Sequence, residues 1–114
     1  MDRQERIAID KSLRVLQLLQ SVDPDITLGA ALCFLKIAQS DGMSIGDLRT
    51  GGEFVQSSAT RYAQYLGKGG VDRRLGVDLV SVTRDPLDGR RKVLRANERG
   101  QLLAQQIGAA LRVR

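Results

Sequence analysis

Between positions 54 and 96 the chain carries nine lysines and arginines (Arg61, Lys68, Arg73, Arg74, Arg84, Arg90, Arg91, Lys92 and Arg95) against four carboxylates (Asp72, Asp78, Asp85 and Asp88). The remainder balances nine against nine, so the whole net charge of +5 belongs to this one stretch. A charge excess confined to a contiguous segment makes one cationic surface, and the commonest partner for such a surface is a polyanion. The bland alternative is a solvated basic face that binds nothing. In the same stretch Gln56, Ser57, Ser58, Thr60, Arg61 and Gln64 supply amide, hydroxyl and guanidinium groups, the chemistry that base edges and phosphates require.

Catalytic chemistry has little to stand on. Histidine is absent, which removes the usual metal ligand, general base and switch near neutral pH. Asp85, Asp88 and Lys92 are the one cluster that a metal-dependent nuclease could use. No further acidic ligand stands at motif spacing, and a turn accounts for both aspartates. Gly67-Lys68-Gly69-Gly70 is no phosphate loop, because position 62, where that motif needs its first glycine, holds Tyr62. The lone Cys33 sits in the apolar run 30–35 and reads as a small core side chain rather than a redox sensor. No cofactor or metal is expected, and the chain is not expected to be an enzyme.

The elements that must position the polar and basic groups follow from apolar spacing. Residues 3–21 form a helix whose apolar positions (9, 13, 16 and 7, 8, 15, 18, 19) make a stripe broader than one contact face requires, so the helix should pack on two sides. Asp23-Pro24-Asp25 breaks it. Thr27 caps a second helix through Leu28, Ala31, Leu32, Leu35 and Ala38, apolar enough to be central, which stops at Asp41-Gly42. Ser44 caps a short third helix, with Ile45 and Leu48 facing inward and Asp47 in the place of a capping-box acid, and Gly51-Gly52 ends it.

Ala59, Tyr62, Ala63 and Leu66 then recur at i, i+3, i+4 and i+7, a helix that leaves its Gln, Ser, Thr and Arg side chains outside. From Val77 the period changes to two and continues to Arg84, a strand; 85–89 is a turn, and Arg90–Ala96 returns as a second strand. Arg90, Arg91 and Lys92 fall at or beside the hairpin tip. Asn97 caps a last helix with Leu102, Leu103, Ile107 and Leu111 inward.

Helix, short helix, turn, polar-faced helix and basic hairpin, in that order, describe a winged helix-turn-helix. From Ile26 to Gly100 the residues also resemble the MarR family of bacterial transcription regulators. The resemblance rests on Ser44-Ile45-Gly46-Asp47-Leu48, on Gln56-Ser57-Ser58-Ala59-Thr60-Arg61, and most of all on Asp85-x-x-Asp88-x-Arg90 followed by Val93-Leu94-Arg95-Ala96-Asn97-Glu98-Arg99-Gly100. It implies that Asp85 or Asp88 braces Arg90, with Arg91 beside it, for the minor groove, where a narrow A·T-rich segment attracts arginine. The aspartates equally read as turn residues that accept backbone hydrogen bonds.

Three features depart from the family pattern. Val55 stands where a Ser or Thr cap is usual, the link 68–78 is longer and richer in Gly and Arg, and the 114 residues leave room for one helix after the wing where relatives have two.

The expected fold class is therefore α+β, mainly helical: a winged helix-turn-helix with N- and C-terminal dimerisation helices. As a single domain it divides into a dimerisation helix over 1–22, the winged helix-turn-helix over 26–96 and a C-terminal helix over 97–114. The expected partner is double-stranded DNA, bound by a homodimer, with Ser44, Gln56, Ser57, Ser58, Thr60, Arg61, Gln64, Lys68, Arg73, Arg74, Arg84, Asp88, Arg90, Arg91 and Lys92 as candidate contacts. The resemblance adds a small-molecule effector of unassigned chemistry. With no apolar run near the roughly 20 residues that span a bilayer and no signal-peptide core, the chain reads as cytoplasmic, on the nucleoid when bound. The rival reading keeps the fold and makes the protein a binder for replication, packaging or plasmid maintenance, or a protein-interaction module. RNA is disfavoured because the four aromatic residues, two Tyr and two Phe, fall mostly at core spacing.

Overall fold

The computed structural model describes residues 1–51, 54–69 and 75–112. Its elements are α1 (Arg3–Val22), α2 (Leu28–Ala38), α3 (Ile45–Thr50), α4 (Gln56–Leu66), β1 (Val80–Arg84), β2 (Lys92–Ala96) and α5 (Glu98–Leu111). Gly52, Glu53, and the Gly70, Arg73 and Arg74 of the link lie outside the described residues.

Local chemistry sets the helix starts. Thr27 Oγ1 accepts from Ala30 N–H at 3.2 Å, and Asn97 Oδ1 from Gly100 N–H at 2.9 Å. Ser44 and Asp47 cap α3 reciprocally: the Ser44 hydroxyl accepts Asp47 N–H at 3.1 Å and the Asp47 carboxylate accepts Ser44 N–H at 2.8 Å. Each such cap contributes about 1 kcal/mol by satisfying an N–H that the helix itself leaves without an acceptor. α4 starts at Val55 with no side-chain cap.

α2 is the centre of the core. Ala31, Cys33, Phe34 and Ile37 are buried on it, in one cluster with Leu19 of α1, Leu48 of α3, Ala59, Ala63 and Leu66 of α4, Leu94 of β2, and Leu103 and Ile107 of α5. The largest of these are fully buried, and each contributes roughly 1.5–3 kcal/mol by leaving water. Leu28 and Leu32, expected on the inward stripe of α2, are exposed, as are Leu102 and Leu111 of α5. Spacing selects an apolar stripe, but the neighbours of each helix cover only part of it.

The wing is an antiparallel pair with Val80 opposite Ala96, Val82 opposite Leu94 and Arg84 opposite Lys92. It is shorter than period two predicts. Val77 to Leu79 are not strand: Asp78 has φ 56°, in the left-handed region that Asp tolerates better than most residues. The 77–79 backbone donates instead to the end of α4, through Val77 N–H to Tyr65 O and Leu79 N–H to Leu66 O. β2 begins at Lys92 rather than Arg90, because Arg91 N–H bonds back to Asp88 O and closes the turn.

Met43 pairs with Leu94 in both directions, at 3.1 and 2.7 Å, which attaches the α2–α3 link to the outer edge of β2. Gly42, with φ +130°, makes the turn that brings Met43 there, and a Cβ at that position would strike Val93.

Candidate nucleic-acid interface

Side chains on α4 fall into three sets. Ala59, Ala63 and Leu66 are buried, Ser58, Thr60 and Tyr62 are half-buried, and Gln56, Ser57, Arg61 and Gln64 are exposed. Ser57, Arg61 and Gln64 are spaced i, i+4 and i+7, so they share one face, and the exposed Lys68 continues it one residue past the helix cap. Tyr62 meets Phe54 edge to face, with ring centroids 5.8 Å apart, and this contact seats the inner face of the helix.

The first turn of α4 is ordered by hydrogen bonds that no sequence pattern announced. Arg49 Nη1 donates to Gln56 Oε1 at 2.6 Å, and Gln56 Nε2 lies 3.4 Å from Thr60 Oγ1. Thr60 Oγ1 itself donates to the Gln56 carbonyl at 2.9 Å, so its hydroxyl proton is used within the helix. Ser44, half-buried, has its hydroxyl oxygen committed to the α3 cap.

In the wing the candidate cations separate by partner. Arg84 Nη1 donates to the Gly89 carbonyl at 2.7 Å, closing the hairpin. Arg91 Nη2 pairs with Asp47 Oδ2 at 2.9 Å. Arg95, counted in the charge but not among the candidate contacts, donates to the Asp41 carbonyl and to Thr83 Oγ1, both at 3.1 Å. The side chains of Arg90 and Lys92 make no hydrogen bond or ion pair among the described residues, and both are exposed.

Among the described residues no hydrogen bond or ion pair joins Asp85 or Asp88 to the Arg90 guanidinium, and Asp88 holds Arg90 through its backbone alone. Asp85 Oδ1 accepts Leu87 N–H at 2.9 Å and Asp88 Oδ1 accepts the backbone N–H of Arg90 at 3.1 Å, so both are turn residues. The carboxylate that holds a wing arginine is Asp47, 44 residues from Arg91. The Ser44 backbone N–H, first, holds Asp47 below the ordinary carboxylate range; burial opposes it, and the Ser44 hydroxyl and then Arg91 add to the lowering. Sequence reading had placed Asp47 in the cap and Arg91 in the wing, and nothing in their spacing joins them.

Ile9, Leu13 and Leu16 of α1 and Leu28 and Leu32 of α2 stand exposed, with Leu16 56 % and Leu28 71 % accessible, and Leu13, Leu16 and Leu28 come together around one cleft. That cleft, of about 300 Å³, is lined by Leu19, Ile26 and Ala31 as well, with Gln17, Gln20 and Thr27 as its polar members. No helix among the described residues is long and apolar enough to cross a membrane.

Three helices, a polar-faced helix, a two-stranded wing and a closing helix make up a winged helix-turn-helix, and its arrangement is MarR-like. Among solved structures the chain is similar to MarR, with a TM-score of 0.62 at 19% identity over 94% of this chain and 71% of that one. It is also similar to the adhesin competence repressor AdcR of Streptococcus pyogenes, with a TM-score of 0.59 at 18% identity over 95% of this chain and 72% of that one. A third is BpsR of Bordetella bronchiseptica, whose DNA binding is regulated by 6-hydroxynicotinic acid; it matches with a TM-score of 0.58 at 15% identity, over 96% of this chain and 78% of that one. No family model and no curated protein matches the chain.

Proposed function

We propose that this protein is a sequence-specific, double-stranded-DNA-binding transcriptional regulator that acts as a repressor and binds a near-palindromic site as a homodimer. The observation that carries the reading is the pairing of an exposed polar face on α4 (Ser57, Arg61, Gln64) with a hairpin whose Arg90 and Lys92 side chains have no protein partner among the described residues. α4 would enter a major groove, and the wing would place Arg90 in the adjacent minor groove. Lys68, Arg73 and Arg74 would add phosphate contacts. MarR, AdcR and BpsR share this fold; AdcR is named a repressor, and the DNA binding of BpsR is regulated by 6-hydroxynicotinic acid.

The homodimer is supported by the apolar positions left open on α1 and α2, since an exposed patch of this kind marks an association surface in a water-soluble chain. Leu102 and Leu111 of α5 extend the uncovered apolar surface. A small-molecule effector seated in the cleft beside Leu16 and Leu28 would act on the protomer contact; loss of its binding heat in Leu28→Arg checks this.

Selection of bound sequences from random duplex DNA tests the whole reading. The expected result is a symmetric motif with half-sites about one helical turn, roughly 10 bp, apart. A pool with no enriched sequence overturns sequence-specific binding, and an unpaired half-site overturns the dimer. Affinity should fall about 10³- to 10⁵-fold between 50 and 200 mM salt if the dimer makes about 6 to 10 phosphate contacts.

A further inference from the structure

The tip of the hairpin is tied to the body of the protein at one point. Its own hydrogen bonds close on themselves, from Leu87 N–H to Asp85, from Arg90 N–H to Asp88 and from Arg84 to the Gly89 carbonyl. Leu87 is 97 % exposed, so no apolar side chain anchors the turn. Among the described residues, the one hydrogen bond or ion pair that joins 85–91 to an element outside the hairpin is Arg91 Nη2 to Asp47 Oδ2, at 2.9 Å.

Asp47 cannot follow a moving tip. The same carboxylate oxygen accepts Ser44 N–H at 2.8 Å, inside the reciprocal cap that sets the first turn of α3. α3 in turn reaches α4, where Arg49 holds Gln56 at 2.6 Å. A continuous path of fixed groups therefore runs from the hairpin tip through a six-residue helix to the start of α4.

We propose that Asp47 is a positioning residue for DNA recognition: by holding Arg91 it sets the placement of the wing tip relative to α4. The proposal rests on the duplex-binding reading above. Two elements that read neighbouring grooves discriminate between sequences only when their separation is fixed beforehand. A loose wing adapts to any phosphate path and spends binding free energy on being ordered. Arg91 is then a strut, and its chain neighbour Arg90 is the cation that the strut presents.

The test compares wild type, Asp47→Asn, Arg91→Gln and the double variant on the selected duplex and on a random duplex of equal length, with thermal unfolding of each. Asp47→Asn keeps an oxygen for Ser44 N–H while removing the charge. The expected result is a fall of about two- to five-fold in the ratio of selected-site to random affinity, the range for an ion pair half exposed to solvent. In the Arg91→Gln background the same change should cost nothing further.

Equal losses on both duplexes, tracking a lower melting temperature, would make Asp47 a helix cap alone and overturn the proposal. A gain on both duplexes would overturn it as well, because Arg91 would then be released to phosphate. So would effects that simply add in the double variant. If wild type binds neither duplex, the duplex-binding reading falls and takes this proposal with it; failure of the strut alone leaves wild type binding with an unaltered preference in Asp47→Asn.

Discussion

Tyr65 Oη donates a hydrogen bond of 2.6 Å to Asp23 Oδ2, joining the last turn of α4 to the turn between α1 and α2. Burial first, and the Asp23 carboxylate second, push the phenol pKa up, so Tyr65 remains a proton donor well into the alkaline range. Removing the hydroxyl in Tyr65→Phe should destabilise the fold by about 1–2 kcal/mol, read as a lower urea midpoint at unchanged m-value. The contribution has a pH signature. The folded phenol holds its proton above the unfolded value of about 10, so the stabilisation is complete below that pH and is lost as pH rises past it. The gap in melting temperature between wild type and Tyr65→Phe should therefore stay constant up to about pH 10 and narrow progressively above it.

Gly29 sits where α2 passes α4, and a Cβ there would run into the phenol ring of Tyr62. That ring is already seated against Phe54, so it has little room to yield. Gly29→Ala should cost about 1–3 kcal/mol by overpacking, and displacement of α4 should weaken duplex binding beyond the loss of folded protein. Chemical denaturation together with binding measured below the melting transition checks both; unchanged stability would mean that the ring moves aside freely.

Arg61 lies at the middle of the exposed face of α4. If its guanidinium meets a base edge, Arg61→Ala should lower affinity for the selected site by about 1–3 kcal/mol and leave random-sequence binding nearly unchanged. Equal weakening on both duplexes reassigns Arg61 to phosphate.

Arg90→Ala should reduce the preference for A·T-rich flanks, because a narrow minor groove concentrates negative potential that the arginine alone would read. Competition between duplexes that differ only in their flanks measures this. The wing assignment fails if flank preference and affinity both survive the substitution.

Leu13 and Leu28 lie on the uncovered apolar surface. Leu13→Glu combined with Leu28→Glu should shift sedimentation at micromolar concentration from dimer to monomer while leaving folded-state circular dichroism intact. Wild type sedimenting as monomer, with and without its DNA site, would remove the dimer from the proposed function.

What could be read without coordinates was local. Thr27, Ser44 and Asn97 announce helix starts because each cap is a contact across three residues, and Asp47 belongs to the same arithmetic. The inner face of α4 was legible because Ala59, Ala63 and Leu66 obey helical spacing with nothing competing. The start of β1 was not: alternation from Val77 ignored the hydrogen bonds that the end of α4 offers, and those bonds place Asp78 in a left-handed conformation.

Taken alone, the amino-acid sequence determined the order and type of elements, the side of α4 left exposed, and the segment that carries the charge, since all of these follow from short-range spacing and side-chain chemistry. Tertiary structure decided which leucines stay uncovered on α1, α2 and α5, and which cations are already committed. It also decided that Arg91 meets a carboxylate 44 residues away rather than the aspartates of its own turn. The physical reason is that a turn aspartate is captured by the nearest backbone N–H, whereas a guanidinium on a long side chain pairs with whichever carboxylate folding brings within reach.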